Sequence, residues 1–261
     1  MRSLNIGATG MLAQQLNVEV ISNNIANMNT TGFKRHRAEF QDLLYQNLRR
    51  VGSASSDAGT IVPTGVQLGL GVKSAAIYRI SGQGNIIQTE NPLDLAINGR
   101  GFMMVELPSG ETAYTRAGSL QLSPDGDIVT ADGYIVQPGI TVPSDAVSIT
   151  VNESGEVYVD LDGQIAPVLV GQMELANFAN EAGLDAIGNN LLLETAASGN
   201  ASVATPGSAG FGRIVQGALE TSNVNVVSEI TTLITAQRAY EMNSKVIESS
   251  DEMMRTVTQM R

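Results

Sequence analysis

The side chains best suited to acid–base or metal chemistry are scarce in this sequence. His36 is the one histidine among the 261 residues, and cysteine does not occur. An ordinary structural zinc site draws its four ligands mostly from cysteine and histidine, so we expect no such site. His36 lies in the basic run Lys34-Arg35-His36-Arg37. We therefore interpret His36 as a solvated or interface-facing side chain, and its basic neighbours as salt-bridging or lumen-facing residues.

Acidic residues offer the next possible chemistry. Asp125, Asp127 and Asp132 faintly resemble a calcium loop, but their spacing is wrong and no glutamate closes the loop. We interpret the segment as a hairpin turn, because Ser123-Pro124-Asp125-Gly126 is typical turn sequence. Paired carboxylates can also hydrolyse glycosides. Such sites usually stack sugars on aromatic rings, however, and aromatic residues are only 4% of this chain.

Closely spaced glycines raise the question of a nucleotide site. A dinucleotide fingerprint needs its glycines in a strand–turn–helix unit, and none of the Gly-x-Gly pairs completes one. The pairs are Gly69/Gly71, Gly82/Gly84 and Gly99/Gly101. We therefore assign no catalytic residue and no metal ligand, and we expect no cofactor.

The two ends of the chain resemble each other and differ from the middle. All eight prolines lie between Pro63 and Pro206. Proline breaks helices, so the proline-free stretches 4–28 and 223–260, which carry apolar residues at helical spacing, are predicted to be long helices. Two long helices so far apart in sequence are expected to pair with each other or with copies of the chain.

Both predicted helices carry apolar residues on more than one face, which a single neighbour cannot cover. The residues expected to form an assembly interface are Leu4, Met11, Val18 and Ile25 in the first helix, and Ile230, Leu233, Tyr240, Ile247 and Met254 in the second. A further set broadens the second helix's apolar surface: Val227, Ile234, Val246, Met253 and Val257. The heptad pattern is imperfect, so a two-stranded coiled coil is one outcome and packing by several neighbours is another.

The middle of the chain has a different periodicity. From about residue 71 to 212 apolar residues alternate in short runs, which predicts an antiparallel β domain with a core of Val, Ile, Leu and Ala. Hairpin turns are predicted at Ser123-Pro124-Asp125-Gly126, Asp132-Gly133, Ser154-Gly155 and Asp162-Gly163.

Residues 31–70 are predicted to be an extended linker or hairpin segment. Within it, Arg37 to Arg50 has some helical character, and 52–60 is rich in Ser, Gly and Ala, as exposed loops are. The predicted fold class is therefore α+β. Its divisions are an N-terminal helix at 1–30, this segment, a central β domain at 71–212 and a C-terminal helix at 213–261.

Charge and hydropathy exclude several classes of protein. The net charge of −11 argues against nucleic acid as the main partner, because phosphate binding needs a basic surface. The net charge is +3 over residues 1–50, −12 over 51–216 and −2 over 217–261, so the two ends differ in sign. Polar residues interrupt the N-terminal apolar stretch, and no run of 18 apolar residues occurs. We therefore expect neither a cleavable secretory signal nor a membrane span.

Several long motifs resemble those of a known family. The stretches NNIANMNTTGFK at 23–34 and AQRAYEMNSKVI at 236–247 are similar to the terminal signatures of the bacterial flagellar rod and hook proteins. The similarity continues through NPLDLAINGRGF at 91–102, AYTRAGSLQL at 113–122 and QGALETSNVNVV at 216–227. It covers nearly the whole chain, and its motifs are long and specific.

Within this family, PTGVQLGLGV at 63–72 together with NPLDLAI favours the distal rod over the proximal rod. A typical hook protein carries a further outer domain and is longer. The alternatives that remain are a proximal rod or hook subunit of the same axial family, or a secreted oligomeric β-domain binding protein. A carbohydrate-active enzyme is a third, which would need essential carboxylates.

The resemblance implies a structural subunit, not an enzyme. Such subunits form an open helical tube, with the terminal helices packed together as an inner coiled-coil-like domain and the β domain outside. The implied partners are copies of the chain, proximal rod proteins, the hook protein or hook–rod junction, the peptidoglycan and outer-membrane rings as a bushing, and the flagellar type III export apparatus. The implied place is the distal rod of the basal body, spanning the periplasm.

Overall fold

Two long helices flank twenty β-strands in the computed structural model, which describes residues 2–49, 64–164 and 166–260. Helix α1 spans Arg2–Ala26 and helix α2 spans Val226–Gln259. The α+β class and the two helices predicted from the proline-free ends are confirmed. Helix α1 ends two residues before the predicted limit at Met28. Neither helix combines the length and apolarity needed to cross a membrane.

The residues group into two compact units, one helical and one built of β-strands. The helical unit is drawn from Met1–Ile25, His36–Tyr78 and Asn225–Arg261. Its strands are β1 (His36–Asp42), β2 (Tyr45–Arg49), β3 (Val66–Gly69) and β4 (Val72–Arg79). Strand β1 pairs with β4, and β2 pairs antiparallel with β3, with Gln46 opposite Leu68. The helical unit is thus a helix pair accompanied by two small sheets.

The helical character predicted for Arg37 to Arg50 is wrong, because its described part forms β1 and β2. The spacing of Phe40, Leu43, Leu44 and Leu48 fits a helix equally well, but β3 and β4 offer main-chain partners that a local pattern does not reveal. The loop predicted over 52–60 lies outside the described residues.

The β unit is drawn from Ala26–Arg35 and Arg79–Val224. Its first eight strands are β5 (Ile86–Gln88), β6 (Leu95–Asn98), β7 (Phe102–Glu106), β8 (Thr112–Thr115), β9 (Leu120–Leu122), β10 (Ile128–Thr130), β11 (Ile135–Val136) and β12 (Ala146–Val151). The others are β13 (Glu156–Leu161), β14 (Val168–Gln172), β15 (Leu175–Asn177), β16 (Asp185–Gly188), β17 (Leu191–Leu193), β18 (Ser202–Ala204), β19 (Arg213–Gln216) and β20 (Ala218–Glu220). A 3-10 turn at Glu181–Gly183 precedes β16.

The strands of the β unit pair antiparallel throughout. The largest sheet runs β16-β17-β8-β7-β11-β10-β9, and β15 joins β7 to β18. A three-stranded sheet has the order β12-β13-β14, and the ribbons β19-β6 and β20-β5 bring late strands beside early ones. The C-terminal part of the β unit is therefore tied to its beginning.

All four predicted hairpin turns are confirmed. They join β9 to β10, β10 to β11, β12 to β13 and β13 to β14, and each of these strand pairs is antiparallel. Gly126 shows why glycine is needed: its φ is +89°, and a Cβ there would lie 2.3 Å from the Val142 carbonyl oxygen. The Asp125–Asp132 segment is thus a pair of turns flanking β10.

The core of the β unit is mostly aliphatic, as its composition predicts. The main cluster includes Ile97, Val105, Leu120, Val157 and Leu175, each nearly inaccessible to solvent. A second cluster departs from the prediction, because its centre is aromatic. Phe178 packs edge-on against Tyr114, with ring centroids 4.7 Å apart, and against Phe102 at 6.1 Å. Such edge-on contacts are a favoured geometry for aromatic pairs.

Candidate functional site

The two helices of the helical unit approach each other through small residues. A Cβ on Gly7 would lie 2.9 Å from Cγ1 of Ile247, and one on Gly10 would lie 2.9 Å from Nδ2 of Asn243. Glycine at these positions lets the backbone of α1 come close to α2. The buried residues of the pair are mostly small or polar: Gly7, Ala13, Val20, Ile21 and Asn24 on α1, and Glu229, Ala236 and Ser250 on α2.

A polar network closes one end of this helix pair. The Asn24 side chain makes two hydrogen bonds to the main chain of His36. Its Oδ1 accepts from the His36 N–H at 2.8 Å, and its Nδ2 donates to the His36 carbonyl at 2.8 Å. The same Nδ2 lies 3.2 Å from Oε2 of Glu229, and both side chains are buried. Buried polar groups must find partners, so this network fixes the register of α1, α2 and β1.

The residues predicted for an assembly interface differ in exposure. Ile230 and Tyr240 are each 44% exposed. The others are half-buried: Leu4, Met11, Val18, Ile25, Leu233, Ile247 and Met254. Ile247 already contacts α1 at Gly7. The structure therefore uses part of the predicted set within one chain and leaves part of it uncovered.

Helix α2 also carries an outer apolar stripe, made of Met242, Val246, Met253 and Val257. Their spacing of four, seven and four residues places them on one side of the helix. All four are exposed, between 48% for Val246 and 67% for Val257. Nothing in the described chain covers this stripe, which is long for an isolated soluble helix.

Further apolar surface in the helical unit lies beside α1. Leu12, Leu44 and Leu48 are 66%, 83% and 55% exposed. A groove of about 350 Å³ is lined by Arg2, Asn5, Ala8, Thr9, Leu12, Leu43 and Leu70. The helical unit thus presents both an apolar ridge on α2 and an apolar groove at α1.

The β unit contains a buried ion cluster centred on Glu220. Glu220 has no exposed side-chain surface, and its carboxylate lies 2.6 Å from Nζ of Lys34 and 2.6 Å from Nε of Arg116. The Gly84 N–H donates to the same carboxylate at 2.8 Å. Arg116 also donates to the carbonyl oxygens of Ile97, Gly99 and Gly101. Every charge in the cluster is therefore paired and hydrogen-bonded.

Gly32 allows its own segment of main chain to lie close to Arg116 and Glu220. Its φ is +68°, and a Cβ there would lie 2.8 Å from the carbonyl carbon and oxygen of Arg116. Its N–H donates to the main-chain carbonyl of Glu220 at 2.8 Å. Four sequence motifs that are remote along the chain therefore meet at one place, through Lys34, Gly101, Arg116 and Glu220.

The protonation of the cluster follows from its charges. Burial favours the neutral carboxyl of Glu220, but Arg116, then Lys34 and the Gly84 N–H, outweigh it and hold the pKa of Glu220 below its usual range. Burial and the positive charge of Arg116 lower the pKa of the Lys34 ammonium, because two cations share one carboxylate. The ionised carboxylate is therefore part of the folded β unit.

Acid is expected to weaken the β unit through Glu220. A carboxyl whose folded pKa is lowered adds stability above its unfolded pKa of about 4.3 and loses it as the pH falls through the lower folded value. Urea unfolding followed by circular dichroism should give a constant difference in unfolding free energy between the wild type and Glu220→Gln from pH 7 to about 5. That difference should shrink below about pH 4. A difference that stays constant down to pH 2 would contradict this assignment.

The sequence-predicted salt bridges of the basic run are confirmed for two of its members. Lys34 pairs with Glu220, and Arg37 pairs with Glu39 at 2.6 Å on the surface of the helical unit. His36 is half-buried and held through its main chain by Asn24. Within the described residues, no cluster of three or more His, Asp or Glu side chains is arranged to hold a metal ion.

Sequence reasoning missed the residues that organise both units. Asn24, Arg116 and Glu220 all lie within the quoted motifs, but they were not singled out. One signal was available for Glu220. It lies two residues after Ala218 in β20, and residues two apart in a strand lie on the same side, which here is the buried one. A glutamate at such a position requires a cationic partner.

Comparison with known proteins matches three parts of the chain to family models. Residues 4–34 match "Flagella basal body rod protein", residues 96–159 match "Flagellar hook protein FlgE/F/G D1 domain", and residues 215–260 match "Flagellar basal body rod FlgEFG protein C-terminal". These ranges contain all the residues of the ion cluster except Gly84, and they contain both helices almost completely.

Individual relatives match over their full length. Flagellar basal-body rod protein FlgG of Caulobacter vibrioides is 64% identical over 261 residues, which is 100% of each chain. FlgG of Agrobacterium fabrum is 52% identical over 99% of this chain and 98% of its own. FlgG of Bacillus subtilis is 40% identical over 100% of this chain and 99% of its own. The similarity to these proteins therefore extends over the whole chain and is not limited to one part of it.

Proposed function

The chain belongs to the flagellar basal-body rod protein family and is a structural subunit of the distal rod, not an enzyme; we propose that it builds an open helical tube that transmits torque from motor to hook. Relatives 64%, 52% and 40% identical over the full length support the membership. Self-assembly into the rod follows from the family. We propose the tubular form of the assembly, the contacts between its subunits and the identity of its neighbours.

The uncovered apolar surface of the helical unit is the observation that carries this proposal. The outer apolar stripe of α2 and the groove beside α1 lie on different elements, and in the proposed contact the stripe of one copy meets the groove of the next. A contact between two different surfaces of identical subunits is heterologous, and repeated by rotation and rise it gives an open helical polymer. Burial of the stripe in such a polymer supplies the association free energy.

We propose that the predicted interface residues act in this polymer. Ile230 and Tyr240 are exposed enough to contact a neighbouring copy directly. The half-buried residues Leu4, Met11, Val18, Ile25, Leu233, Ile247 and Met254 complete the packing from within. The helices form an inner, coiled-coil-like layer covered by several neighbours. They become ordered on assembly, because a lone subunit cannot shield so much apolar surface.

We propose that the subunit meets the proximal rod at one end of the tube and the hook or the hook–rod junction at the other. The peptidoglycan and outer-membrane rings surround it as a bushing, against the acidic middle of the chain, whose net charge of −12 keeps that surface hydrated. Export by the flagellar type III apparatus into the periplasmic space is consistent with a chain that has no cysteine and passes between redox compartments.

Electron microscopy of the purified full chain tests the proposal. Raising the protein concentration should produce straight, open-ended tubes of variable length, because a heterologous contact does not close. Rings of fixed subunit number would instead support a closed oligomer, which is the architecture of the secreted β-domain alternative. A monomer at all concentrations, with α1 and α2 protected from hydrogen exchange, would contradict self-assembly through the helices.

A further inference from the structure

The segments that lead out of α1 and into α2 are tied together inside the β unit. We call residues 30–35 the N-terminal root and residues 217–224 the C-terminal root. The Gly32 N–H donates to the Glu220 carbonyl at 2.8 Å, and the Arg35 N–H donates to Oδ1 of Asn223 at 2.7 Å. Lys34 joins its ammonium to the Glu220 carboxylate at 2.6 Å. The roots therefore bind each other through main chain and side chain, across 186 residues of sequence.

Both roots are also bound to the segment 80–85. The Ile80 N–H donates to the Arg35 carbonyl at 2.8 Å, and Nδ2 of Asn223 donates to the carbonyls of Ile80 and Gly82. The Thr221 N–H donates to the Asn85 carbonyl at 2.8 Å. The helices contribute nothing to these contacts, which all lie within the β unit.

We propose that the Lys34–Glu220–Arg116 cluster is a latch that keeps the two roots ordered and adjacent in the free, unassembled subunit. The cluster has the properties of a folded core: the side chains of Glu220, Arg116 and Lys34 are 0%, 8% and 10% exposed. Removing any one member leaves a buried charge less well paired, so partial opening is disfavoured. The boundary between order and disorder in the free subunit then lies beyond the roots, at the helices.

The latch gives assembly an entropic advantage. Pairing α1 with α2 requires closure of the loop formed by all the residues between the two helices. The latch joins two residues 186 positions apart within that loop, and so closes most of the loop in advance. Only the short segments between the latch and each helix remain to be closed at assembly. Loop-closure statistics make helix pairing more favourable by up to about 50-fold when those segments replace the whole loop.

Hydrogen exchange on the soluble full-length protein, kept below its assembly concentration, tests the latch. Peptides covering 29–36 and 214–224 should exchange slowly, while peptides within α1 and α2 exchange fast. The variant Lys34→Met should speed exchange in both root peptides by about tenfold or more, because it removes a charge-assisted hydrogen bond. It should leave the β unit folded, because Arg116 still neutralises Glu220.

The matched control is Arg213→Met. It also removes one ion pair of the β unit, but the Arg213 and Glu153 side chains are 66% and 71% exposed. Root peptides that exchange as fast as the helices, or that respond equally to both substitutions, would overturn the latch. The inference rests on the proposed ordering of the helices at assembly. Slow exchange in the helices themselves would contradict that ordering, whereas the root peptides report on the latch separately.

Discussion

Val246→Asp is expected to abolish incorporation of the subunit into tubes while leaving the β unit folded. Val246 lies in the middle of the outer apolar stripe and is 48% exposed, so an aspartate is solvated in the free chain. In the polymer the same carboxylate would be buried without a partner, which costs several kcal/mol at every repeated contact. Sedimentation of polymer and electron microscopy measure the loss, and the circular dichroism of the soluble chain checks the fold.

Lys245→Asp is the matched control for this substitution. It places an aspartate on the same helix one residue before Val246, about 100° around the helix axis. Lys245 is exposed and belongs neither to the stripe nor to the predicted interface residues. We expect polymer yield close to that of the wild type. Normal yield from Val246→Asp, with or without an effect of the control, would place the assembly contact elsewhere.

Glu220→Gln is expected to lower the free energy of unfolding of the β unit by about 3–5 kcal/mol at neutral pH. The substitution preserves shape, but it leaves Lys34 and Arg116 facing each other without the carboxylate that both contact at 2.6 Å. Like charges in a buried site repel strongly, and the amide cannot neutralise either of them. Urea unfolding followed by circular dichroism measures the change.

Glu153→Gln provides the comparison, because it breaks an ion pair of the same chemistry at the surface. Glu153 and Arg213 lie 2.8 Å apart, but water solvates both. Its effect on the free energy of unfolding should remain below about 1 kcal/mol. Equal effects of the two substitutions would mean that burial of Glu220 adds nothing to the pair, and the ion cluster would lose its structural role.

The β unit and the helical unit differ in how far their own residues bury their apolar side chains. The β unit has a core of its own, since the charges of its buried ion cluster are paired and its aliphatic core is closed to solvent. The helical unit is incomplete, since its helices touch through small residues and leave larger apolar side chains outside. We therefore expect the β unit to be stable before assembly, and we propose that neighbouring copies cover the exposed apolar surface of the helical unit.

Much of the fold was predictable because its causes are local. Absence of proline and helical spacing specify α1 and α2, and Asp-Gly and Ser-Gly pairs specify turns because glycine there needs a positive φ. The helix predicted for Arg37 to Arg50 is wrong because the structure of this segment depends on contacts that are not local. Its apolar spacing suits a helix or a strand, and pairing of β1 with β4 and of β2 with β3, between segments distant in sequence, decides between them.

Sequence alone is enough to assign the class of protein, the two terminal helices, the β character of the middle and the family. Each of these depends on residue type and near neighbours, or on long motifs that can be matched directly. Tertiary structure decided which side of each helix faces inward, because Gly7 and Gly10 select the contact by closeness and not by apolarity. It also decided that Lys34, Arg116 and Glu220 meet, since a buried ion pair forms only where the folded chain brings its members within hydrogen-bond distance.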